Sequence, residues 1–245
     1  MTAINAYRYF KKSTDLKTFT LHEKETHLRI SVDREICTES FISNSHDSLF
    51  RLRSDIENYI KAHHNFRSSF KPLNIPTNAP PIVKCMGDAA RAADVGPMAA
   101  VAGAIAEALG DELNKSAKEI IIENGGDLYI QTSRKRVIGI FASRTKFSYQ
   151  LGLEIPESSS PLGLCTSSGT IGSSISLGQA DAVVIQAKTA SLADAVATAT
   201  ANKVQTSEDL HPAIEFANKI PGVTGVLAIK GAALAAWGDM KLVKI

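Results

Sequence analysis

The sequence predicts an α+β fold, in which strands occur in runs and helices are interleaved irregularly. Three observations support this class. A hairpin pattern opens the chain, two Ala- and Gly-rich helices follow, and short β-branched runs dominate the second half. With 44% hydrophobic and 21% charged residues among 245, the composition is that of an ordinary globular protein.

We treat residues 1–245 as a single domain with a soft internal boundary at the loop 71–81, which holds four of the nine prolines. The net charge of +2 lacks the basic excess of a nucleic-acid binder. The sequence shows no apolar run of membrane-spanning length and no apolar core of a signal peptide at its N-terminal end. We therefore expect a cytoplasmic protein without nucleic-acid or membrane partners. The cysteines expected to be free thiols are Cys37, Cys85 and Cys165.

The first third of the chain predicts a hairpin followed by a helix. Lys17–Glu23 and His27–Val32 alternate apolar and polar residues, which is typical of paired strands. Apolar residues then recur at helical spacing from Leu49 to Ile60. Asp47 or Ser48 is the expected cap of that helix.

Residues 84–113 predict two helices that are broken at Gly96–Pro97, since glycine often ends a helix and proline fits a first turn. The second helix, Pro97–Leu109, presents a surface with almost no side-chain bulk. Its small residues are Ala99, Ala100, Gly103 and Ala104. We expect this helix to be buried across a sheet. In the alternative interpretation, the Gly96 turn and the helix N-terminus approach a phosphate.

The remainder predicts strands with two helices between them. The predicted strands are Lys118–Glu123, Leu128–Gln131, Arg136–Phe141, Asp181–Ala187, Val223–Lys230, Leu234–Trp237 and Leu242–Ile245. The predicted helices are Ser191–Val204 and Ser207–Lys219. The Ser- and Pro-rich segment Leu151–Pro161 predicts a loop.

A first candidate site segment, Glu123–Asp127, directly follows a predicted strand. Its two glycines allow a sharp turn and let a ligand come close to the backbone. The pattern is equally typical of a hairpin turn without further function, so both interpretations stay open. The candidate ligand-binding residues are Asn124, Gly125, Gly126 and Asp127.

A second segment, Cys165–Ser174, carries six hydroxyl side chains and two glycines in ten residues. A loop of this composition can arrange backbone N–H groups around a phosphate or a ribose. It has neither the lysine of a Walker-type loop nor the G-x-S-x-G spacing of a hydrolase. The alternative is a flexible Ser/Gly loop. The candidate residues are Thr166, Ser167, Ser168, Gly169 and Thr170.

The third segment places Asp194 and Thr198 four residues apart in a predicted helix, so they share one face. A carboxylate and a hydroxyl at this spacing can both reach Mg²⁺, which prefers oxygen ligands. In the structural alternative, Asp194 interacts with the helix dipole and Thr198 bonds to a carbonyl of its own helix. The six histidines lie outside all three segments, so chemistry there would depend on hydroxyl, carboxylate and backbone groups and a metal.

Taken in order, the three segments resemble the FAD:protein FMN transferase (ApbE-like) superfamily. Its members carry a G-G-D turn after a strand, then a T-S-G loop, then an A-D-A-x-x-T helix. The matching positions here are Gly125–Asp127, Ser167–Gly169 within CTSSGT, and Ala193–Ala195 followed by Thr198. The resemblance covers about residues 82–245. Longer strings such as ENGGDLYI and PLGLCTSSGTIG resemble a small uncharacterised prokaryotic branch over nearly the whole chain.

The resemblance implies a T-fold-like architecture, in which a mixed sheet packs against the buried Ala/Gly-rich helix. It also implies a site for FAD or FMN beside the G-G-D turn, with Mg²⁺ held by Asp194 and Thr198. In the superfamily, the FAD pyrophosphate is cleaved and FMN is moved onto a Thr or Ser of a partner protein. An acceptor protein is therefore an implied partner, and a homo-oligomer stays open.

The chain departs from the superfamily pattern at three places. Glu123 stands where the transferases have the Asn of N-x-G-G-D. The H-I-I-D-P-x-T-G stretch of the transferases is replaced here by GSSISLGQADAVVI. Their lysine–glycine helix signature is replaced by VGPMAAVAGAIAE. The metal corner is thus retained while much of the FAD-recognising wall is rebuilt. Three hypotheses follow: a Mg²⁺-dependent transferase or FAD pyrophosphatase acting on a flavin or nucleotide-like ester, a non-catalytic flavin- or nucleotide-binding protein, and an enzyme for an unrelated small substrate.

Overall fold

The computed structural model describes residues 15–142, 145–148, 150–158, 160–169 and 177–245. The α-helices are α1 (Glu39–Ala62), α2 (Asn65–Ser68), α3 (Pro81–Ala93), α4 (Val101–Leu113), α5 (Ala190–Ala201) and α6 (Leu210–Asn218). The strands are β1 (Leu16–Glu23), β2 (Thr26–Asp33), β3 (Ile120–Asn124), β4 (Asp127–Gln131), β5 (Arg136–Gly139), β6 (Leu151–Ile155), β7 (Leu162–Ser167), β8 (Ala182–Ala187), β9 (Val223–Lys230), β10 (Ala233–Gly238) and β11 (Lys241–Lys244). This combination confirms the predicted α+β class.

The described strands form a large sheet in the order β1-β2-β3-β4-β7-β8-β9-β10 and a small sheet in the order β11-β6-β5. Every described pairing is antiparallel, whereas the resemblance implied a mixed sheet. The connection between β8 and β9 shows how this arises. Helices α5 and α6 run out and back, so the chain re-enters the sheet at the end where β8 stopped, and β9 runs in the opposite direction.

The two faces of the large sheet pack against different partners. Strand residues with period 2 point alternately to each face, so Ile120 and Ile122 of β3 join the core formed with the helices, while Ile121 joins the core beneath the small sheet. The helix-side core contains buried side chains from α1, α3, α4, α5 and α6. The molecule therefore has three layers, and the candidate site lies on the helix side.

At the N-terminal end, the predicted hairpin is confirmed as β1 and β2, which pair along their full length. The following helix begins earlier than the sequence predicted. Thr38, rather than Asp47 or Ser48, caps α1, because its side chain accepts a hydrogen bond from the N–H of Phe41.

The predicted break between two Ala/Gly-rich helices is also confirmed, with a different terminating residue. Asp94 takes the left-handed conformation that ends α3 (φ 53°), and Gly96 precedes a 3₁₀ turn at Pro97–Ala100. Gly96 is needed for another reason: a Cβ there would lie 1.7 Å from the carbonyl oxygen of Ser69. Among the described residues no single helix is long and apolar enough to span a membrane, and the pair Pro81–Ala93 and Pro97–Leu113 meets that test only jointly, across a 105° bend.

The expectation of a loop at Leu151–Pro161 is wrong for its first half. Residues 151–155 form β6, which pairs with β5 and β11. Leu153 and Ile155 are buried beneath the large sheet, and their alternation with Gly152 and Glu154 is a strand pattern that the adjoining Ser and Pro residues obscured.

Candidate functional site

The G-G-D segment is the turn of a tight hairpin between β3 and β4. Gly125 and Gly126 have φ values of 66° and 133°, which side chains rarely adopt, so glycine is required by the turn itself. The turn places Asn124 and Asp127 directly opposite each other in the register. The two interpretations of this segment are therefore compatible, since the hairpin holds two buried polar side chains at one end of the sheet.

Strand β7 brings the second segment to the same place. Cys165 lies opposite Asp127 in the register, and the N–H of Thr166 donates to the carbonyl of Gly126 at 3.2 Å. Residues 165–167 are thus strand, not loop as predicted, because all three pair with β8 and Cys165 also pairs with β4. Ser168 and Gly169 follow the strand end, and the predicted residue Thr170 lies outside the described residues.

Helix α5 supplies the third segment. Thr189 caps the helix by accepting from the N–H of Leu192. Asp194 is 9% exposed, and its Oδ2 accepts from the N–H of Gly103 in α4 at 2.9 Å. Thr198, one turn later, is half-buried. The segments of Asp127, Cys165 and Asp194 meet on the helix side of the sheet.

Electrostatics mark this meeting point. Burial raises the pKa of Asp127 to about 7, and the neighbouring Cys165 thiol and Thr166 N–H oppose this by lowering it. Burial, and next the nearby Asp127 carboxylate, raise the pKa of Asp194 well above its usual range. Oδ1 of Asp127 is buried and has no hydrogen-bond partner among the residues that the structure describes. Two carboxylates therefore share a water-poor corner, and one of their oxygens is unsatisfied.

The donor set at this corner fits an oxygen-preferring cation. Within the described part of the chain, no lysine or arginine is among the groups that shift the pKa values of Asp127 and Asp194. An orphaned carboxylate oxygen beside a second carboxylate is the environment that Mg²⁺ neutralises. The described residues contain no group of three or more His, Cys, Asp or Glu that could hold a metal by themselves. Other oxygen ligands, from Thr198, the backbone, water or a substrate, would have to complete the coordination.

Helices α4 and α5 cap each other across this corner. Asp194 of α5 accepts from the N-terminal turn of α4, while Glu107 of α4 accepts from the N–H of Ser191 in the first turn of α5 at 2.8 Å. The first N–H groups of a helix lack partners within it, so each carboxylate satisfies the other helix. The Gly103 N–H in the first turn of α4 is thus already bonded to Asp194. This favours the interpretation of α4 as a buried packing helix over the alternative in which its N-terminus binds a phosphate.

The sequence did not reveal Cys165, Glu107 or the backbone of Gly103 as parts of the site. Cys165 donates to the carbonyl of Ala190 at 3.3 Å as well as facing Asp127, and burial raises the pKa of its thiol. Its position opposite Asp127 becomes visible only once the strand register is known. Glu107 and Gly103 lie in an alanine-rich helix whose composition signals packing alone.

Solved structures share this fold. The flavin transferase ApbE from Vibrio cholerae is similar with a TM-score of 0.58 and 10% identity, covering 91% of this chain and 97% of that chain. The apo flavinyl transferase ApbE from Pseudomonas stutzeri gives 0.54 and 12%, covering 91% and 94%. The ApbE protein from Thermotoga maritima gives 0.55 and 13%, covering 90% and 96%. At these identities the likeness shows the fold, which is that of ApbE-like proteins.

Sequence relatives define the family more narrowly. The family model described as "AbpE bacteria" matches residues 8–220. A UPF0280 protein of Methanococcus aeolicus is 37% identical over 216 residues, covering 86% of this chain and 87% of the relative. A UPF0280 protein of Methanocella arvoryzae is 40% identical over 195 residues, covering 79% of each. The chain belongs to the AbpE bacterial family, and its predicted membership of the ApbE-like superfamily is confirmed.

Proposed function

We propose that this protein binds a flavin or a related nucleotide together with Mg²⁺ and acts on its phosphate ester as a transferase or hydrolase. The observation that carries the proposal is the buried pair of carboxylates, Asp127 and Asp194, with one unsatisfied oxygen beside a G-G turn. The printed names of the structural relatives, which are flavin transferases, support the flavin as the first ligand to test.

Each side chain has a distinct part in this proposal. Asp194 and Thr198 would hold the metal, with Asp194 the stronger ligand because it carries formal charge. Asp127 would orient toward the same ion from the sheet. Within the described part of the chain, a Cβ at Gly125 would have no heavy atom within 4 Å beyond its chain neighbours, so this turn would leave space for a phosphate. When bound, Mg²⁺ would neutralise the pyrophosphate charge and orient the attacked phosphorus.

The hydroxyl-rich segment after β7 would contact the nucleotide in the same proposal. Thr166 and Ser167 are the last residues of β7, beside the G-G turn; Ser168 and Gly169 follow the strand, and Thr170 is next in the sequence. A Thr or Ser of an acceptor protein would receive the transferred group if the protein is a transferase.

A second candidate function is nucleotide binding without turnover. It is favoured by the replacement of the superfamily's H-I-I-D-P-x-T-G stretch with GSSISLGQADAVVI. The two functions separate in one measurement, since both predict binding of FAD or ADP with Mg²⁺ but only an enzyme releases FMN or AMP from FAD. The same rebuilt segment keeps a third function open, that of an enzyme for an unrelated small substrate. A protein with this function would bind neither FAD nor ADP.

Calorimetry on three variants tests the metal assignment. In Asp194→Asn, the side-chain oxygen can still accept from Gly103, so we expect near-wild-type stability and loss of Mg²⁺-dependent binding of FAD, FMN and ADP. Asp194→Ala also loses the cap and should cost a further 0.5–2 kcal/mol or so in unfolding free energy. Thr198→Ala should weaken binding without abolishing it.

Asp33→Asn is the matched control. Its carboxylate also accepts two backbone N–H groups, from Lys118 and Glu119 at 2.8 and 3.0 Å, at the end of β3 remote from the G-G turn. It should bind nucleotide as the wild type does. Unchanged affinity in Asp194→Asn for a ligand that the wild type binds would refute the metal site.

A further inference from the structure

One peptide group lies between the two motifs of the candidate site. Asn124 Nδ2 donates to the carbonyl oxygen of Ala102 at 3.0 Å, and the N–H of Gly103 donates to Asp194 Oδ2 at 2.9 Å. That carbonyl and that N–H belong to the same peptide. Asn124 and Asp194 are 8% and 9% exposed, so both bonds are largely shielded from water. We infer that Asn124 is a positioning residue that acts on the Asp194 carboxylate through the Ala102–Gly103 peptide.

The physical effect is polarisation combined with orientation. A hydrogen bond to a peptide carbonyl strengthens the N–H of the same peptide as a donor, since hydrogen bonds in a chain polarise one another. The Gly103 N–H belongs to the first turn of α4 and has no acceptor within the helix, so it is directed at Asp194. Partners of this kind fix a metal-ligating carboxylate, and their loss commonly lowers metal affinity 10- to 100-fold.

Close packing makes this arrangement specific to Gly103. A Cβ at that position would lie 2.2 Å from the carbonyl oxygen of Ala190 and 2.8 Å from Cβ of Asp194. Only a residue without a side chain lets the peptide sit between Asn124 and Asp194. Asn124, which the sequence suggested as a ligand-binding residue, has its Nδ2 directed to α4.

Nuclear magnetic resonance can observe this peptide alone. The sequence contains the dipeptide Ala-Gly once, at residues 102–103, so labelling alanine with ¹³C at the carbonyl and glycine with ¹⁵N gives a single signal in an HNCO spectrum. The variant replaces Asn124 by leucine, which has a similar size and no N–H donor, because alanine before Gly125 would create a second Ala-Gly signal. In metal-free protein, Asn124→Leu should shift both the ¹³C and the amide ¹H of this signal upfield. Asn114→Leu is the matched control, because Asn114 Nδ2 donates to the Tyr129 hydroxyl at 3.2 Å at the other end of α4. It should leave the signal unmoved.

Metal affinity is the second readout, and here the inference rests on the proposed function. Titration of Mn²⁺ followed by electron paramagnetic resonance, with ADP present, should show affinity falling about tenfold in Asn124→Leu and unchanged in Asn114→Leu. An unmoved HNCO signal, or a moved signal with unchanged Mn²⁺ affinity, would overturn the inference. If the wild type bound no Mn²⁺, the proposed function would fail, and the HNCO signal would still decide whether Asn124 polarises the Ala102–Gly103 peptide.

Discussion

Replacing Gly103 with alanine tests whether the α4–α5 contact is as close as the structure shows. The new Cβ would meet Ala190 O at 2.2 Å, Ala190 C at 2.7 Å and Asp194 Cβ at 2.8 Å. Two of these atoms are backbone, so the helices must move apart. Overpacking of this kind costs about 1–3 kcal/mol, whereas removing a helical glycine gains about 1 kcal/mol.

A second helical glycine separates the two effects. Gly87→Ala in α3 gains the same helix propensity, but its Cβ would meet Ile75 Cγ1, part of a half-buried side chain that can rotate away. Urea unfolding should therefore find Gly103→Ala less stable than Gly87→Ala by about 1–3 kcal/mol. A chain of this size changes its melting temperature by roughly 2–4 °C per kcal/mol, so calorimetry should show the same order. Two variants of equal stability would refute the close contact at Gly103.

Three further outcomes follow from buried polar groups. Burial raises the pKa of Glu123 from 4.5 to about 7, so the folded state binds the carboxyl proton more tightly than the unfolded state does, and the stability of the wild type falls as the pH rises through that range. In urea unfolding between about pH 5 and pH 8, Glu123→Gln should remove up to about 3 kcal/mol of this pH-dependent loss of stability. A pH dependence equal to that of the wild type would contradict this expectation. Arg136→Ala leaves the buried Glu119 without its 2.6 Å partner and should cost about 3–5 kcal/mol in unfolding free energy, which an unchanged urea midpoint would exclude. The three cysteines, Cys37, Cys85 and Cys165, should all react when the unfolded protein is titrated for thiols without reductant. A count of one thiol would reveal a disulfide.

Local patterns predicted the elements whose signals lie within their own residues. The hairpin β1–β2 follows from the alternation of apolar and polar residues, and the break before Pro97 follows from its turn residues. Strand β6 was missed because the Ser and Pro residues after Ile155 dominate a short window. The spacing of apolar residues predicted a start of α1 that is too late, because mostly polar residues follow Thr38 and hide the helical pattern there. The role of Thr38 as the cap is evident from the hydrogen bond that it accepts from the Phe41 N–H.

The candidate site was predictable in its residues and not in its contacts. Asp127 and Asp194 were singled out by short motifs, yet 67 positions in sequence separate them and only the sheet order brings them together. Cys165 faces Asp127 through the register of β4 and β7, which no local pattern encodes. The Gly103 N–H is a backbone donor, so its role depends on how closely α5 crosses α4, which the sequence of either helix alone does not show.

The contact between Asp194 and α4 also bears on how a metal would bind. The N-terminus of α4 carries partial positive charge, which stabilises the Asp194 carboxylate and opposes a cation beside it. Asp127 and Asp194 are two carboxylates, and Mg²⁺ is usually held by one or two carboxylates together with substrate phosphates and water. Under the proposed function, the nucleotide's phosphates therefore supply the ligands and the negative charge that the corner lacks. Mg²⁺ and nucleotide would then strengthen each other's binding, because each provides what the other needs at Asp194.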